Sequence, residues 1–442
     1  MPDMLVKMLD MTSAEGAIPE NHWINDVDLN AIVEKAGSPV FIYSEQRLED
    51  NIKRVIDAAF DSGLGERVVL YVPFFPNSNP YILEPLKRHK LGMLVQVPQE
   101  LEIAVAHGFD DFIISPGHIG DDEIAYWNKT PYWTFLGSVD EVRFAIDNNA
   151  ETLCLRVDAL GSDKPGVKLD QLPALAAMLN ESGRQLDCFE VYYGSGNTLE
   201  QMVDIVRRIL QVQLDHFPDA KAINFAGGHG FDYKGWDPAE KHFNWLSYFS
   251  SIRELADTMG VSPDVKFLFE PARDLLADVG VLIADVKRSM ISHSIGNIVV
   301  TNASRMLMPS AQMRDRAHNI AFLDKNFEPL NVSDRSPALV RGRTILRNDY
   351  LLPKHYDVPA TIKAGDHMIV FDVGAYCATQ HMEFLNVPPA PEVLINISGE
   401  VSLVTKPGNP LDKWRNLLDE PEVIGSRAEK PEKVLLTVEG EA

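Results

Sequence analysis

The chain has 442 residues, 45% of them hydrophobic and 24% charged, the balance of a folded globular protein longer than one core usually supports. Its formal charge of −23 lacks the cationic footprint that nucleic acid or an anionic membrane surface requires. Its three cysteines, Cys154, Cys188 and Cys377, are too few and too scattered for a disulfide framework or a zinc cluster, so no metal site is expected.

Met1 to Glu20 shows no basic stretch followed by an apolar one, and no run of about 18 apolar residues occurs. A soluble, cytoplasmic protein is expected. From about residue 39 to 290, short β-rich runs alternate with stretches of helical period. Phe41-Ile42-Tyr43 precedes a helix carrying Leu48, Ile52, Val55, Ile56 and Ala59 on one face. Val68 to Val72 precedes a helix over Pro80 to Arg88, and Met93 to Val97 one over Gln99 to His107, with Gly108 placed to end it. Further strands are expected at 112–115, 132–136, 153–157, 189–193, 223–226 and 266–269, with helices at 172–179 and 199–210. No Gly-rich dinucleotide turn follows the first strand, which favours an α/β fold of the (β/α)8 barrel type over an open doubly wound sheet.

After about residue 295 the pattern changes to short strands divided by Pro, Gly and Asn/Asp turns, at 298–300, 338–340, 367–371 and 392–397. The expected organisation is an N-terminal segment, 1–35, packing with a C-terminal β domain, 296–442, and a barrel over 36–295. Val434 to Leu436 is a candidate edge strand in the charged tail.

Strand ends and the loops after them form the active face of such a barrel. Ala226-Gly227-Gly228-His229-Gly230 follows one strand, and its glycines either let backbone N–H groups approach an anion or serve a plain tight turn. Glu270-Pro271-Ala272-Arg273 follows another. Its acid and cation either serve a pyridine nitrogen and a phosphate, or form a salt bridge at the rim. Tyr192-Tyr193-Gly194-Ser195 offers an aromatic face and a hydroxyl, and Asp372-Val373-Gly374-Ala375-Tyr376 places a tyrosine in the β domain.

Taken in order, these motifs resemble the fold-type III pyridoxal-phosphate decarboxylases, the diaminopimelate, ornithine and arginine decarboxylase group with an alanine-racemase-like barrel and a β domain. The similarity also takes in Phe41-Ile42-Tyr43, Pro98-Gln99-Glu100-Leu101, Leu155-Arg156-Val157 and Lys164-Pro165-Gly166, and so covers nearly the whole chain. The resemblance implies a lyase of amino acid metabolism, a homodimer with sites at the interface, and a cofactor phosphate held by Gly227, Gly228 and Arg273 with Ser195 and Tyr376. His229 lies in the same glycine turn, and Glu270 would face the pyridine nitrogen.

The departures are equally specific. The family's Schiff-base lysine falls on Phe74 or, with a slip of one, on Phe75; neither forms an imine. Its stacking histidine falls on Tyr192. Its catalytic cysteine and substrate-binding aspartate fall on Ile345 and Leu346, within a segment whose Arg343 and Arg347 are candidate substrate cations in the partner's pocket. Lys87 and Lys90 lie toward the wrong side of the barrel to replace the lysine, whereas Lys164 and Lys168 could reach inward. The expected protein is a divergent family member acting on an amino-acid-like or other small anionic substrate, with pyridoxal phosphate not covalently bound or absent. The alternatives are a pyridoxal-phosphate-independent enzyme on the same scaffold and a non-catalytic homologue that pairs with a biosynthetic partner.

Overall fold

The computed structural model describes residues 18–159, 165–195, 197–292, 296–313, 318–330, 333–422 and 424. In chain order its first ten strands are β1 (Val40–Ser44), β2 (Val68–Pro73), β3 (Gly92–Val95), β4 (Phe112–Ile114), β5 (Trp133–Leu136), β6 (Cys154–Asp158), β7 (Val167–Lys168), β8 (Cys188–Val191), β9 (Ala222–Asn224) and β10 (Lys266–Phe269). Strands β2, β3, β4, β5, β6, β8, β9 and β10 pair in parallel in that sequence, and β10 closes on β2. This is the (β/α)8 barrel. The two-residue β7 pairs beside β6.

The helices between strands form where an apolar face and a cap coincide. In Glu45–Asp61, Ser44 accepts the N–H of Arg47, and Leu48, Ile52, Val55 and Ala59 are buried. In Leu199–His216, Thr198 caps the start and Met202, Val206, Ile209 and Leu210 are buried. The helix expected over Pro80 to Arg88 is shorter, Glu84–Arg88. The Asn77 and Asn79 side chains accept the N–H groups of Asn79 and Tyr81, and these local bonds hold a turn where a helix would otherwise begin.

The second sheet contains β11 (Gly280–Ser292), β12 (Gly296–Thr301), β13 (Ile320–Leu323), β14 (Arg335–Gly342), β15 (Tyr350–Pro359), β16 (His367–Val370), β17 (Glu392–Ile395) and β18 (Val401–Thr405). Its order is β15-β14-β12-β11-β1-β17-β18, with β16 on β11 and β13 on β16. Strand β1, read from its sequence as the opening of the barrel, instead pairs with β11 and β17. Phe41 and Tyr43 are buried against one cluster, Val40 and Ile42 against another, so both faces of β1 are covered. A continuous apolar run signals that double burial but not which sheet supplies it. The barrel proper therefore lies between β1 and β11, inside the 36–295 span. The N-terminal residues Ile18, Trp23, Ile24, Leu29 and Ile32 pack on Val281, Ile283, Ile369 and Phe371 of the β domain. Val434 to Leu436 lies outside the described residues.

Inward-facing side chains of a barrel recur every second residue. Leu94, Ile113, Cys154, Cys188, Ala222 and Leu268 share one small buried cluster with Phe135 and form the apolar barrel floor. Two residues further along the same strands stand Gln96, Ser115, Arg156, Glu190, Asn224 and Glu270. The layer above the floor is polar.

Candidate functional site

A cavity of about 300 Å³ opens above that polar layer, at the small end of the range for ligand pockets. It is lined by Gln96, Ser115, Arg156, Glu190 and Glu270 of the layer, by Tyr192, Ser195, Gly227, Gly228, His229 and Arg273 of the strand-end loops, and by Tyr376 of the β domain. The loop residues expected to bind a cofactor or anion are thus brought together.

Registration across the sheet builds one wall. Arg156 stands directly opposite Glu190, and Glu190 opposite Asn224. Arg156 Nη1 lies 3.3 Å from Glu190 Oε1 and donates to Ser115 Oγ at 3.3 Å. Asn224 Nδ2 donates to Glu270 Oε1 at 2.7 Å. Among the described residues, Glu270 takes its hydrogen bond from Asn224 rather than from Arg273, so the rim salt bridge is not formed. Burial raises the Glu190 carboxyl despite the nearby guanidinium. Burial, and then the Glu190 charge, push Glu270 well above the usual carboxylate range.

The glycine turn has a backbone cause. Gly228 sits at φ +95°, and a Cβ there would lie 2.1 Å from the Gly194 carbonyl oxygen; one on Gly227 would lie 2.9 Å from that of Glu270. These glycines let three strand-end loops interlock. His229 is buried beside Trp245, Phe243 and Tyr248 at ring-centre distances of 4.1, 5.1 and 5.9 Å. Burial pushes its pKa down to about 3, so the ring is neutral, and neither nitrogen has a hydrogen-bond partner. Tyr192 and Ser195 share a hydroxyl hydrogen bond of 2.8 Å, and the Arg156 guanidinium lies 5.6 Å from the Tyr192 ring centre.

The β domain reaches the barrel through Tyr376, whose N–H donates to the Pro76 carbonyl at 2.7 Å. The Arg273 guanidinium lies 4.7 Å from the Tyr376 ring centre, and the buried Arg273 Nε has no partner. Phe75 also packs near that ring, at 6.0 Å between centres.

Phe74 and Phe75 part company. Phe75 and Pro73 line the cavity, and Phe75 packs on the barrel-floor cluster. Phe74 is 1% exposed, joins the large cluster between strands and helices, and does not line the cavity. No lysine lines the cavity among the described residues. Lys168 pairs with Asp158, and Lys87 with Glu84 at 2.5 Å. Lys90 is exposed in a turn, and Lys164 lies outside the described residues.

Arg343, Ile345, Leu346 and Arg347 occupy the turn after β14 and do not line this cavity. Asp349 ties that turn by accepting the Thr344 N–H at 3.1 Å and the Ser304 hydroxyl at 2.6 Å, which leaves Ile345 91% exposed. No group of three or more His, Cys, Asp or Glu suited to a metal ion occurs among the described residues, and none of their helices is long and apolar enough to cross a membrane. Motif reading passed over Glu190, Asn224, Ser115 and Gln96 as site residues and used Arg156 only as a point of resemblance. Their signal was a polar side chain two positions beyond an inward apolar one.

No protein-family model matches the chain. It is 25% identical over 420 residues to the diaminopimelate decarboxylase of Escherichia coli K12, covering 88% of this chain and 97% of that protein. Identity to the diaminopimelate decarboxylase of Archaeoglobus fulgidus is 24% over 437 residues, covering 92% of this chain and 96% of that one. The fold is shared with the crystal structure of M. jannaschii diaminopimelate decarboxylase in complex with L-lysine, at a TM-score of 0.78, 17% identity, and coverage of 93% and 99%. It is also shared with the Vibrio vulnificus lysine/ornithine decarboxylase complexed with cadaverine, at a TM-score of 0.70, 16% identity, and coverage of 83% and 97%.

Proposed function

For a chain that belongs to the fold-type III decarboxylase family, that of the diaminopimelate, ornithine and arginine decarboxylases, we propose a carbon–carbon lyase acting on an amino-acid-like or other small anionic substrate, with pyridoxal phosphate held without a covalent link. One observation carries this reading: the inward polar layer of the barrel is interrupted at β2, where Pro73 and Phe75 occupy the wall.

The remaining groups fit a phosphorylated pyridine bound without a covalent bond. Glu270 faces the cavity beside Asn224, Arg273 has an unpartnered buried Nε, and Tyr192 and Tyr376 offer aromatic faces. When bound, pyridoxal phosphate supplies an electron sink for the pair left by departing carbon dioxide. Arg156 and Arg273 draw anionic groups into the mouth and orient them. Tyr192, Ser195, Gly228 and Tyr376 hold the phosphorylated ring, His229 gives a neutral wall, and Phe75 and Pro73 exclude water from the β2 side. A homodimer would bring Arg343 and Arg347 to the partner's mouth.

Added pyridoxal phosphate is expected to give purified protein a visible chromophore that borohydride does not fix to the chain. The loaded protein should release carbon dioxide from at least one member of a panel of diaminopimelate, lysine, ornithine and arginine, and should sediment as a dimer. Protein that takes up no cofactor, or cofactor found on a lysine by mass spectrometry, would sink the reading.

A further inference from the structure

Glu190 is 1% exposed, lines the cavity, and stands in register between Arg156 and Asn224. Its Oε1 has the Arg156 guanidinium at 3.3 Å, and its buried Oε2 has no partner at good hydrogen-bond geometry, the Ser115 hydroxyl being the side chain that also acts on this carboxylate. Glu270 stands at the end of β10, two strands from Glu190, and takes a hydrogen bond from Asn224 of the intervening β9. Buried carboxylates normally have their valences filled. Glu190 is incompletely bonded for a buried carboxylate and belongs to a residue row that lines the cavity.

The charged and titratable groups around the pair come from several elements. Arg156 faces it from β6, Tyr192 and Tyr193 from the loop after β8, and His229 from the glycine turn. Arg273 and Tyr376 stand across the cavity, with Arg273 over the Tyr376 ring. Among the described residues, Arg156 alone forms an ion pair with either acid. Two ionised carboxylates beside one paired guanidinium would leave a buried negative charge without a cation, an arrangement that low-dielectric surroundings penalise heavily.

We propose that Glu190 is a further ligand-contacting residue of the barrel mouth, and that Glu190 and Glu270 carry one proton between them, which passes to a basic nitrogen of the bound ligand. In that transfer the carboxyl O–H bond breaks and leaves its electron pair on oxygen. The proton joins the nitrogen lone pair, and the new carboxylate faces the cation it has made. The ligand class is a small molecule with a basic ring or amine nitrogen and an anionic group. The inference deepens the proposed cofactor and substrate site and rests on that reading for its ligand.

Infrared difference spectra of the ligand-free protein test the proton. A C=O band of a protonated carboxyl is expected at pH 7, absent in Glu270→Gln and titrating at least one pH unit lower in Glu190→Gln. Absence of the band in the unmodified protein, or an unchanged midpoint in Glu190→Gln, overturns the shared proton whether or not any cofactor binds. Pyridoxal phosphate as probe tests the contact. In calorimetry across buffers of different ionisation enthalpy, Glu190→Gln is expected to bind it at least tenfold more weakly, with about one more proton drawn from solvent. Unchanged affinity and proton count, with the fold intact by circular dichroism, would overturn the role of Glu190. Glu190→Asp, which keeps the acid, is expected to recover part of the affinity.

Discussion

Two groups of buried charges meet near the mouth of this barrel, and the chain treats them in opposite ways. Behind the wall, Asp274 accepts the Phe243 N–H at 2.8 Å, the Trp245 indole N–H at 2.6 Å and Arg54 at 2.7 Å, with His242 at 3.0 Å. Asp278 accepts from Arg47 at 2.5 Å and Asn51 at 2.8 Å, with His242 at 2.9 Å. Burial disfavours both carboxylates, but hydrogen bonds from His242 with the charges of Arg54 and Arg47 outweigh it and hold both below the ordinary range. Inside the wall, burial wins and Glu190 and Glu270 are raised. The same residue chemistry is held ionised where donors surround it and is pushed toward the protonated form where donors are few beside a cavity.

The largest expected effect breaks the satisfied group. Asp274→Ala removes the carboxylate that Arg54, the Phe243 N–H and the Trp245 indole bond to, and one of the two carboxylates on His242, and is expected to cost about 3–5 kcal/mol in urea unfolding. A loss below about 1 kcal/mol would remove the distinction between the two groups.

A second change fills the gap in the inward layer. Phe75→Lys is expected to cost about 2 kcal/mol or less, because the stem can lie along the wall with its amine in the cavity. It should make added pyridoxal phosphate fixable to the chain by borohydride, read by peptide mass. Phe74→Lys, aimed among the helices, should give no fixed cofactor. Fixation at position 74 would reverse the assignment of the inward residue.

The smallest effect separates the groups by pH. The depressed Asp274 and Asp278 stabilise the fold above the unfolded carboxyl pKa of about 3.9, and that contribution is lost as pH falls through their folded values. Burial lowers His242, but Asp274 and Asp278 raise it further, so its contribution is complete below about 6.5 and is lost as pH rises through its folded value. The raised glutamates have the opposite sign from the aspartates. Their ionisation opposes folding as pH climbs above about 4.3, the unfolded value. Glu190→Gln is therefore expected to raise stability at pH 8 by about 1 kcal/mol or less, while His242→Gln lowers it at pH 6. Urea midpoints at the two pH values check both signs.

How much of this was legible in the chain follows from the range of each signal. Helix caps, strand periods and the order of strand-end motifs are local, and they identified the barrel, the β domain and the loop residues that line the cavity. The turn at Asn77 and Asn79 hid from a helical-period reading because side-chain hydrogen bonds compete with the helix. The partnership of β1 was not local either, since it depends on strands more than two hundred residues away.

By itself the sequence determined that Phe74 and Phe75 stand together at the end of an apolar strand run, where the family resemblance leads one to expect a lysine, because residue type and motif order need no coordinates. Only the tertiary structure decided that Phe75, with Pro73, faces the cavity while Phe74 faces the helices. Only closure of the barrel placed Arg156, Glu190, Asn224 and Glu270 in one row. The reason is parity: a strand shows its alternate side chains to opposite faces, but which set points inward is fixed by its neighbours.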